Sequence, residues 1–174
     1  MEKKVIQENA YNLIRKHGSD ILAHPSFKAL ARNKQHHNSN TYAHLIHVTV
    51  LAVKIARWTR AKVDERALVR ASLLHDYYLY DWHDRANRKK KHARKHGQYA
   101  ADNAQRDFGI TELERDLIVN HMWPINPMHF PKGKMGWIIV LADKTATFEE
   151  LYGKLSSTDS YKPKKKEPKQ PIES

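Results

Sequence analysis

The chain has 174 residues, no Cys and a formal net charge of +12, from 31 Lys and Arg against 19 Asp and Glu. The length fits one domain with a full hydrophobic core, and the lack of Cys excludes disulfides, thiol nucleophiles and Cys-ligated metals. No apolar run approaches the ~20 residues of a membrane span, and the N-terminus lacks the apolar segment of a secretory signal. We therefore expect a cytoplasmic protein that does not insert into a membrane.

The positive charge is concentrated in two segments and favours an anionic partner. Residues 85–96 contain seven Lys or Arg and no acid, and lie between two apolar segments. They predict either attraction of a substrate phosphate or a solvated helix start. The segment from Lys162 to the C-terminus is rich in Lys and Pro and has too few apolar residues to order itself. We interpret residues 159–174 as a disordered basic tail, with nucleic-acid binding as the alternative role.

Hydrophobic periodicity is helical along nearly the whole chain. Short helices are predicted at 2–16 and about 26–32, separated by Gly18 and Pro25. The segment TYAHLIHVTVLAVKIARW carries one apolar stripe and predicts a long helix, whose start Ser39 or Thr41 could cap.

Local capping signals delimit the remaining predicted helices. Asp64 caps the segment ERALVRASLLHD, and a helix over about 93–108 ends before Gly109. Thr111 and Glu114 form a capping-box pattern for a helix that stops before Pro124, and the last helix spans about 136–155. No alternating, strand-like segment occurs, so the fold class is all-α. We expect a single helical bundle over residues 1–158.

Twelve residues are His, and several lie inside apolar helices, where an imidazole needs a partner. Each of these residues, taken singly, is more readily explained as a satisfied core or surface group. Together they form an ordered series that brings imidazole and carboxylate to one centre, a donor set suited to zinc, manganese or iron. The series is His44, His75, Asp76, His96, His121 and Asp143, with one or two of its members on each predicted helix.

This order resembles the HD-domain superfamily of metal-dependent phosphohydrolases over residues 40–148. YAHLIHV is similar to the helix of the first His, LLHD to the signature doublet, and LADK to the last-helix Asp. HGQYAADNAQRDFGI, followed by a helix ending in Asn-His, resembles the additional His pair of six-ligand members, most closely those that hydrolyse diadenosine tetraphosphate. His92, one turn before His96, is the rival for the first position of that pair.

The sequence departs from that branch in two places. HDYYLYDW lacks the Lys that usually follows the doublet, and His121 is followed by Met-Trp-Pro rather than by Thr and Gly. The resemblance therefore implies a phosphate ester or anhydride as substrate, in particular a nucleotide or dinucleotide, without specifying which.

The resemblance also implies the roles of individual residues. His44, His75, Asp76 and Asp143 would bind one divalent ion (Fe, Mn or Zn), and His96 and His121 would complete a second site bridged by Asp76, with a metal-activated water as nucleophile. Lys144 and Arg85, with Arg88 and Lys89, are candidate phosphate contacts. Tyr77, Tyr80 and Trp82 are candidates either for stacking on a base or for ordinary packing. His36 and His37 either contact the metal ligands from outside or belong to an exposed loop.

Two other functions remain open from the sequence. The same ligand order resembles HD-type di-iron oxygenases, which would retain iron and consume O₂. A non-catalytic protein that binds nucleotides or nucleic acid, with the basic tail as an electrostatic arm, would bind in a salt-sensitive way without turnover.

Overall fold

The computed structural model describes residues 2–33, 39–80 and 92–152, with the side chains of residues 2–6, 92 and 93 left undescribed. In these ranges the chain forms helices and no strand, which confirms the all-α prediction. The helices are α1 (Glu2–Ala23), α2 (Pro25–Ala29), a short 3-10 turn (Leu30–Arg32), α3 (Thr41–Trp58), α4 (Glu65–Leu74), α5 (His92–Phe108), α6 (Glu112–Val119) and α7 (Gly133–Leu151). Among the described helices, none combines the length and apolarity needed to cross a membrane.

Helix α3 is central to the bundle and packs against α1, α4 and α7. Its apolar stripe explains this position, since Leu45, Val48 and Ala52 are completely buried. Helix α4 also contacts α6, which in turn packs against α5. The core therefore continues from α1 through α3 and α4 to the α5–α6 pair.

Most of the predicted local capping is confirmed. The side chain of Asp64 accepts a hydrogen bond from the backbone N–H of Ala67, and Thr111 and Glu114 form the reciprocal capping box of α6. Gly109 follows α5 with a φ of 55°, the left-handed geometry expected at a helix C-terminus.

Two predicted boundaries were wrong. Helix α3 is capped by Asn40, whose side chain accepts from Ala43, rather than by Ser39 or Thr41. The last helix covers Gly133–Leu151 instead of 136–155, whereas α6 ends at Val119, before Pro124 as predicted.

The break predicted at Gly18 was also wrong, because α1 continues through it to Ala23. A Cβ at this position would lie 2.4 Å from Cδ1 of Leu73 on α4. Gly18 therefore permits the close approach of α1 to α4 and does not end the helix. The predicted tail, residues 159–174, lies outside the described residues.

Candidate metal centre

The six predicted ligands meet in the interior, delivered by five helices. His44 lies on α3, His75 and Asp76 directly follow α4, and His96 lies on α5. His121 comes two residues after α6, and Asp143 lies on α7. All six residues are at most 6% exposed. The sequence brings two carboxylates and four imidazoles into a space where each polar group requires a partner.

Potential ligand atoms of these residues fall into three overlapping groups, within each of which the atoms lie no more than 4.8 Å apart. The groups are His44–His75–Asp76, His75–His121–Asp143 and Asp76–His96–His121. Among the described residues, these buried His/Asp clusters have the donor chemistry to hold a metal ion.

The two carboxylate oxygens of Asp76 face different histidines. Oδ1 lies 3.2 Å from Nε2 of His96 and 3.5 Å from Nε2 of His121. Oδ2 lies on the side of His75, 3.8 Å from its Nε2. Asp76 is therefore shared by a group centred on His44 and His75 and a group centred on His96 and His121.

Backbone carbonyls set the tautomers of two of the histidines. Nδ1 of His75 donates to the carbonyl of Ser72 at 2.8 Å, and Nδ1 of His121 donates to that of Ile118 at 2.6 Å. A carbonyl can only accept, so each Nδ1 must carry the hydrogen. In the neutral rings the lone pair is then on Nε2, the atom directed at the carboxylates.

Nε2 of His75 is the clearest sign that the cluster suits a cation. This atom is buried and has no hydrogen-bond partner among the described residues. It lies 3.7 Å from Oδ1 of Asp143 and 3.8 Å from Oδ2 of Asp76, too far for a hydrogen bond to either. A buried lone pair directed between two carboxylates fits a bound cation and is costly without one.

One residue of this centre, Glu150 on α7, was not among the predicted site residues. Its Oε1 lies 2.8 Å from Nδ1 of His44, and its Oε2 accepts a 2.5 Å hydrogen bond from the hydroxyl of Ser39. Glu150 is 2% exposed. It follows Asp143 by seven residues, so both side chains lie on the same face of α7. That seven-residue spacing was the one feature of the sequence that could have indicated Glu150 as a member of the centre.

His44 is held between two carboxylates, with Nδ1 towards Glu150 and Nε2 3.3 Å from Oδ1 of Asp143. Burial acts to lower the pKa of His44, but hydrogen bonds to Asp143 and Glu150 and the charges of both acids outweigh it. Together they raise that pKa to about 10. Without a bound cation, His44 is thus an imidazolium that neutralises part of the buried negative charge.

The remaining titrating groups favour the forms that bind metals. Burial acts to raise the pKa values of Asp76 and Asp143, but histidines around both, with Lys144 beside Asp143, hold these values well below the usual range. Burial lowers the pKa of His121 to about 4. At neutral pH the two acids are therefore ionised and His121 is neutral.

Gly97 allows α5 to approach α6 at the centre. A Cβ on Gly97 would lie 3.1 Å from the carbonyl oxygens of Ile118 and Val119, and 3.4 Å from Cε1 of His121. Because only hydrogen occupies that space, the neighbouring His96 lies within 3.0 Å of His121, measured between the Nε2 atoms.

The other predicted site residues fall in different places. Nζ of Lys144 donates to Oδ2 of Asp143 at 2.7 Å, and its side chain is 37% exposed. Tyr77 is completely buried against Phe27 and donates its hydroxyl to Asp107, so it packs in the core and is not available for stacking. Tyr80 is partly buried beside Tyr99.

Several candidates cannot be placed. Arg85, Arg88, Lys89, Trp82, His36 and His37 lie outside the described residues, as does the side chain of His92 at the start of α5.

Comparisons with protein-family models, with curated proteins and with solved structures find no match for this chain.

Proposed function

We propose that this chain is a metal-dependent phosphohydrolase of the HD type, acting on a phosphate ester or anhydride, in particular a nucleotide or dinucleotide. The proposal is carried by the position of Asp76: its Oδ2 faces His75 and its Oδ1 faces His96. A carboxylate in that position could be a ligand in both of the groups that it faces. A pair of divalent ions, Fe, Mn or Zn, would supply Lewis acidity and an activated water for phosphoryl transfer.

The residues divide into two sets of ligands under this proposal. His44, His75 and Asp143 would hold one ion with one oxygen of Asp76, and His96 and His121 would hold the other with the second oxygen. The hydrogen bonds from Nδ1 of His75 and His121 to backbone carbonyls keep Nε2 available in both sets. The sets lie among hydrophobic helices, which excludes most water and strengthens their electrostatic interactions.

Cationic side chains around the centre support an anionic substrate. The side chain of Lys144 is 37% exposed while its Nζ donates to Asp143, which supports a contact between its ammonium and a phosphate oxygen of the substrate. Arg94 and Lys95 are exposed immediately before the buried His96. They continue the basic segment that contains Arg85, which we propose as a second phosphate contact.

The proposal is tested by metal analysis followed by a phosphate-release screen. The purified protein is loaded with manganese or iron and given nucleotides, dinucleoside polyphosphates and simple phosphate esters. We expect phosphate release that depends on the metal and is abolished in Asp76→Asn. The matched control is Asp102→Asn, because Asp102 is exposed and pairs with Arg115 away from the cluster, and this variant should keep wild-type activity.

Other outcomes identify the alternatives. Tight iron retention with O₂ consumption and no phosphate release would replace the hydrolase by an oxygenase. Salt-sensitive binding of nucleic acid without turnover of any phosphate compound would indicate a binding protein.

A further inference from the structure

We propose that Glu150 is a positioning residue for the metal centre. It contacts Nδ1 of His44, orients the ring so that Nε2 faces the centre, and makes the His44 subsite the one with the higher metal affinity. The proposal rests on the proposed function only in assuming that the cluster binds a divalent ion. We do not assign Glu150 as a metal ligand, because its Oε2 accepts a hydrogen bond from Ser39 and its Oε1 contacts Nδ1 of His44.

The contacts of Glu150 form a chain that ends at a proposed ligand atom. The hydroxyl of Ser39 donates to Oε2, and Oε1 lies 2.8 Å from Nδ1 of His44. The opposite ring nitrogen of His44 then lies 3.3 Å from Asp143. Because a carboxylate accepts hydrogen bonds, it keeps the hydrogen on Nδ1 and leaves Nε2 as the atom that can coordinate.

Burial makes this arrangement more than a surface ion pair. The side chains of His44 and Glu150 are 0% and 1% exposed, so water cannot compete for Nδ1. In this environment the charge of Glu150 also acts strongly through the ring and raises the affinity of Nε2 for a cation.

The two subsites differ in the charge of the group that contacts Nδ1 of the histidine. On the other side of Asp76, the Nδ1 of His121 is held by the neutral carbonyl of Ile118. Asp76 and Asp143 both lie within ligand distance of histidines on either side, since Asp143 groups with His121 as well as with His75. The charge of Glu150, by contrast, acts on the His44 subsite alone among the described contacts. We therefore expect the first ion to bind on the His44 side.

The adjacent acid provides a matched control. Glu149 precedes Glu150 on α7, and its Oε2 lies 3.0 Å from Nε2 of His47. This pair joins the same two helices, α3 and α7, but its carboxylate is 35% exposed and neither residue belongs to the ligand clusters. Glu149→Gln therefore removes a charge at a contact between the same helices, and keeps an acceptor oxygen there, without touching His44.

The test measures zinc affinity by competition with a chelator, for the wild type, Glu150→Gln, Glu150→Ala and Glu149→Gln. Removing the charge of Glu150 also removes one cause of the raised pKa of His44, so the affinities are compared after correction for the proton that His44 loses on binding. On that basis we expect the tighter site to weaken by about 10-fold in Glu150→Gln, which retains an amide oxygen as acceptor, and by about 100-fold in Glu150→Ala. The second site and Glu149→Gln should remain within about twofold of wild type. Cobalt provides a second readout, since its visible absorption should change in the Glu150 variants and not in Glu149→Gln.

Thermal unfolding separates positioning from a structural role. A residue that only supports the fold lowers the melting temperature equally with and without zinc, whereas a positioning residue reduces the rise that zinc produces. If Glu150→Ala does not fold, the isosteric Glu150→Gln and Ser39→Ala, which removes only the outer hydrogen bond, test the same chain of contacts. Folded Glu150→Gln with wild-type zinc affinity, cobalt spectrum and zinc-induced rise overturns the proposal.

Failure of the proposed function is distinguishable from failure of this inference. Weakened zinc binding in the Glu150 variants, together with a wild-type protein that hydrolyses no phosphate compound, supports the role of Glu150 and contradicts the phosphohydrolase. Metal-dependent hydrolysis by the wild type, together with unchanged zinc affinity in Glu150→Gln, supports the phosphohydrolase and contradicts the role of Glu150. A wild-type chain that binds no divalent ion overturns both.

Discussion

Nε2 of His96 lies 3.0 Å from Nε2 of His121, although the two residues come from different helices and both are buried. Nδ1 of His121 carries a hydrogen, because it donates to Ile118. The lone pair on its Nε2 therefore accepts a hydrogen from His96 in the absence of a cation. A metal bound between them would replace that hydrogen and take both lone pairs, which makes this pair a proposed second metal subsite.

The number of metals is the first prediction. Asp76→Ala should lose or weaken both ions, since its oxygens face both histidine groups. His121→Ala should retain about one ion per chain and lose most hydrolysis, because one side of the phosphate is no longer held. Elemental analysis beside phosphate release measures both effects. His92 is the rival of His96 as a ligand, and His92→Ala should change metal content and hydrolysis little. A wild-type protein that saturates at one ion, together with a fully active His121→Ala variant, would contradict the two-metal site.

Gly97→Ala should disturb the second subsite through the spacing of α5 and α6. A methyl group 3.1 Å from two carbonyl oxygens forces the helices apart, and overpacking of this kind costs about 1–3 kcal/mol. The intrinsic helix preference of Ala returns up to about 1 kcal/mol. We expect a net loss of unfolding free energy and weaker binding of the second ion only. Gln98→Ala is the control, and a Gly97→Ala protein with two undiminished metal sites would show that the helices adapt without cost.

Metal binding should release a proton from His44. With its pKa raised to about 10, His44 holds a hydrogen on both ring nitrogens at pH 8. Coordination through Nε2 requires that nitrogen to lose its hydrogen, so apparent affinity should rise about tenfold per pH unit between pH 7 and 9 and level off near pH 10. Calorimetry in two buffers of different ionisation enthalpy counts the protons. His121→Ala should still release this proton, and zero release at pH 8 would contradict the assignment.

A buried ion network between α4 and α6 should matter for stability. Glu114 is completely buried and lies 2.8 Å from Nη1 of Arg66 and 3.4 Å from Nε of Arg70. Its carboxylate also accepts from the backbone N–H of Thr111. Glu114→Gln leaves the 5%-exposed Arg70 without one of its acids, and removal of one buried partner costs about 3–5 kcal/mol.

The other acid of Arg70, Asp20, is retained, so we expect the lower end of that range. Urea unfolding measures the change. The control is Glu112→Gln, an exposed acid on the same helix, which should change the free energy of unfolding by less than about 0.5 kcal/mol. Equal effects of the two substitutions would show that the network contributes nothing beyond surface charge.

The sequence by itself determined the all-α class and the signals that depend on a few consecutive residues. Asp64, the Thr111–Glu114 capping box and Gly109 each satisfy backbone groups of their own helix, so their chemistry is local and can be predicted without a fold. The ordered series of histidines and aspartates was also visible, because each member lies in an apolar helical segment where an unpaired polar group is costly.

Only the tertiary structure decided which groups face one another. Gly18 has the sequence signature of a helix end, but its close contact with Leu73 depends on how α1 packs on α4. Glu150 and His44 are 106 positions apart, and the seven-residue spacing from Asp143 places Glu150 on a face of α7 without indicating that it contacts His44. The two-sided environment of Asp76 likewise arises from α4, α5 and α6 together. Capping is satisfied within a few residues, whereas a buried polar centre is satisfied only when distant helices pack and water is excluded.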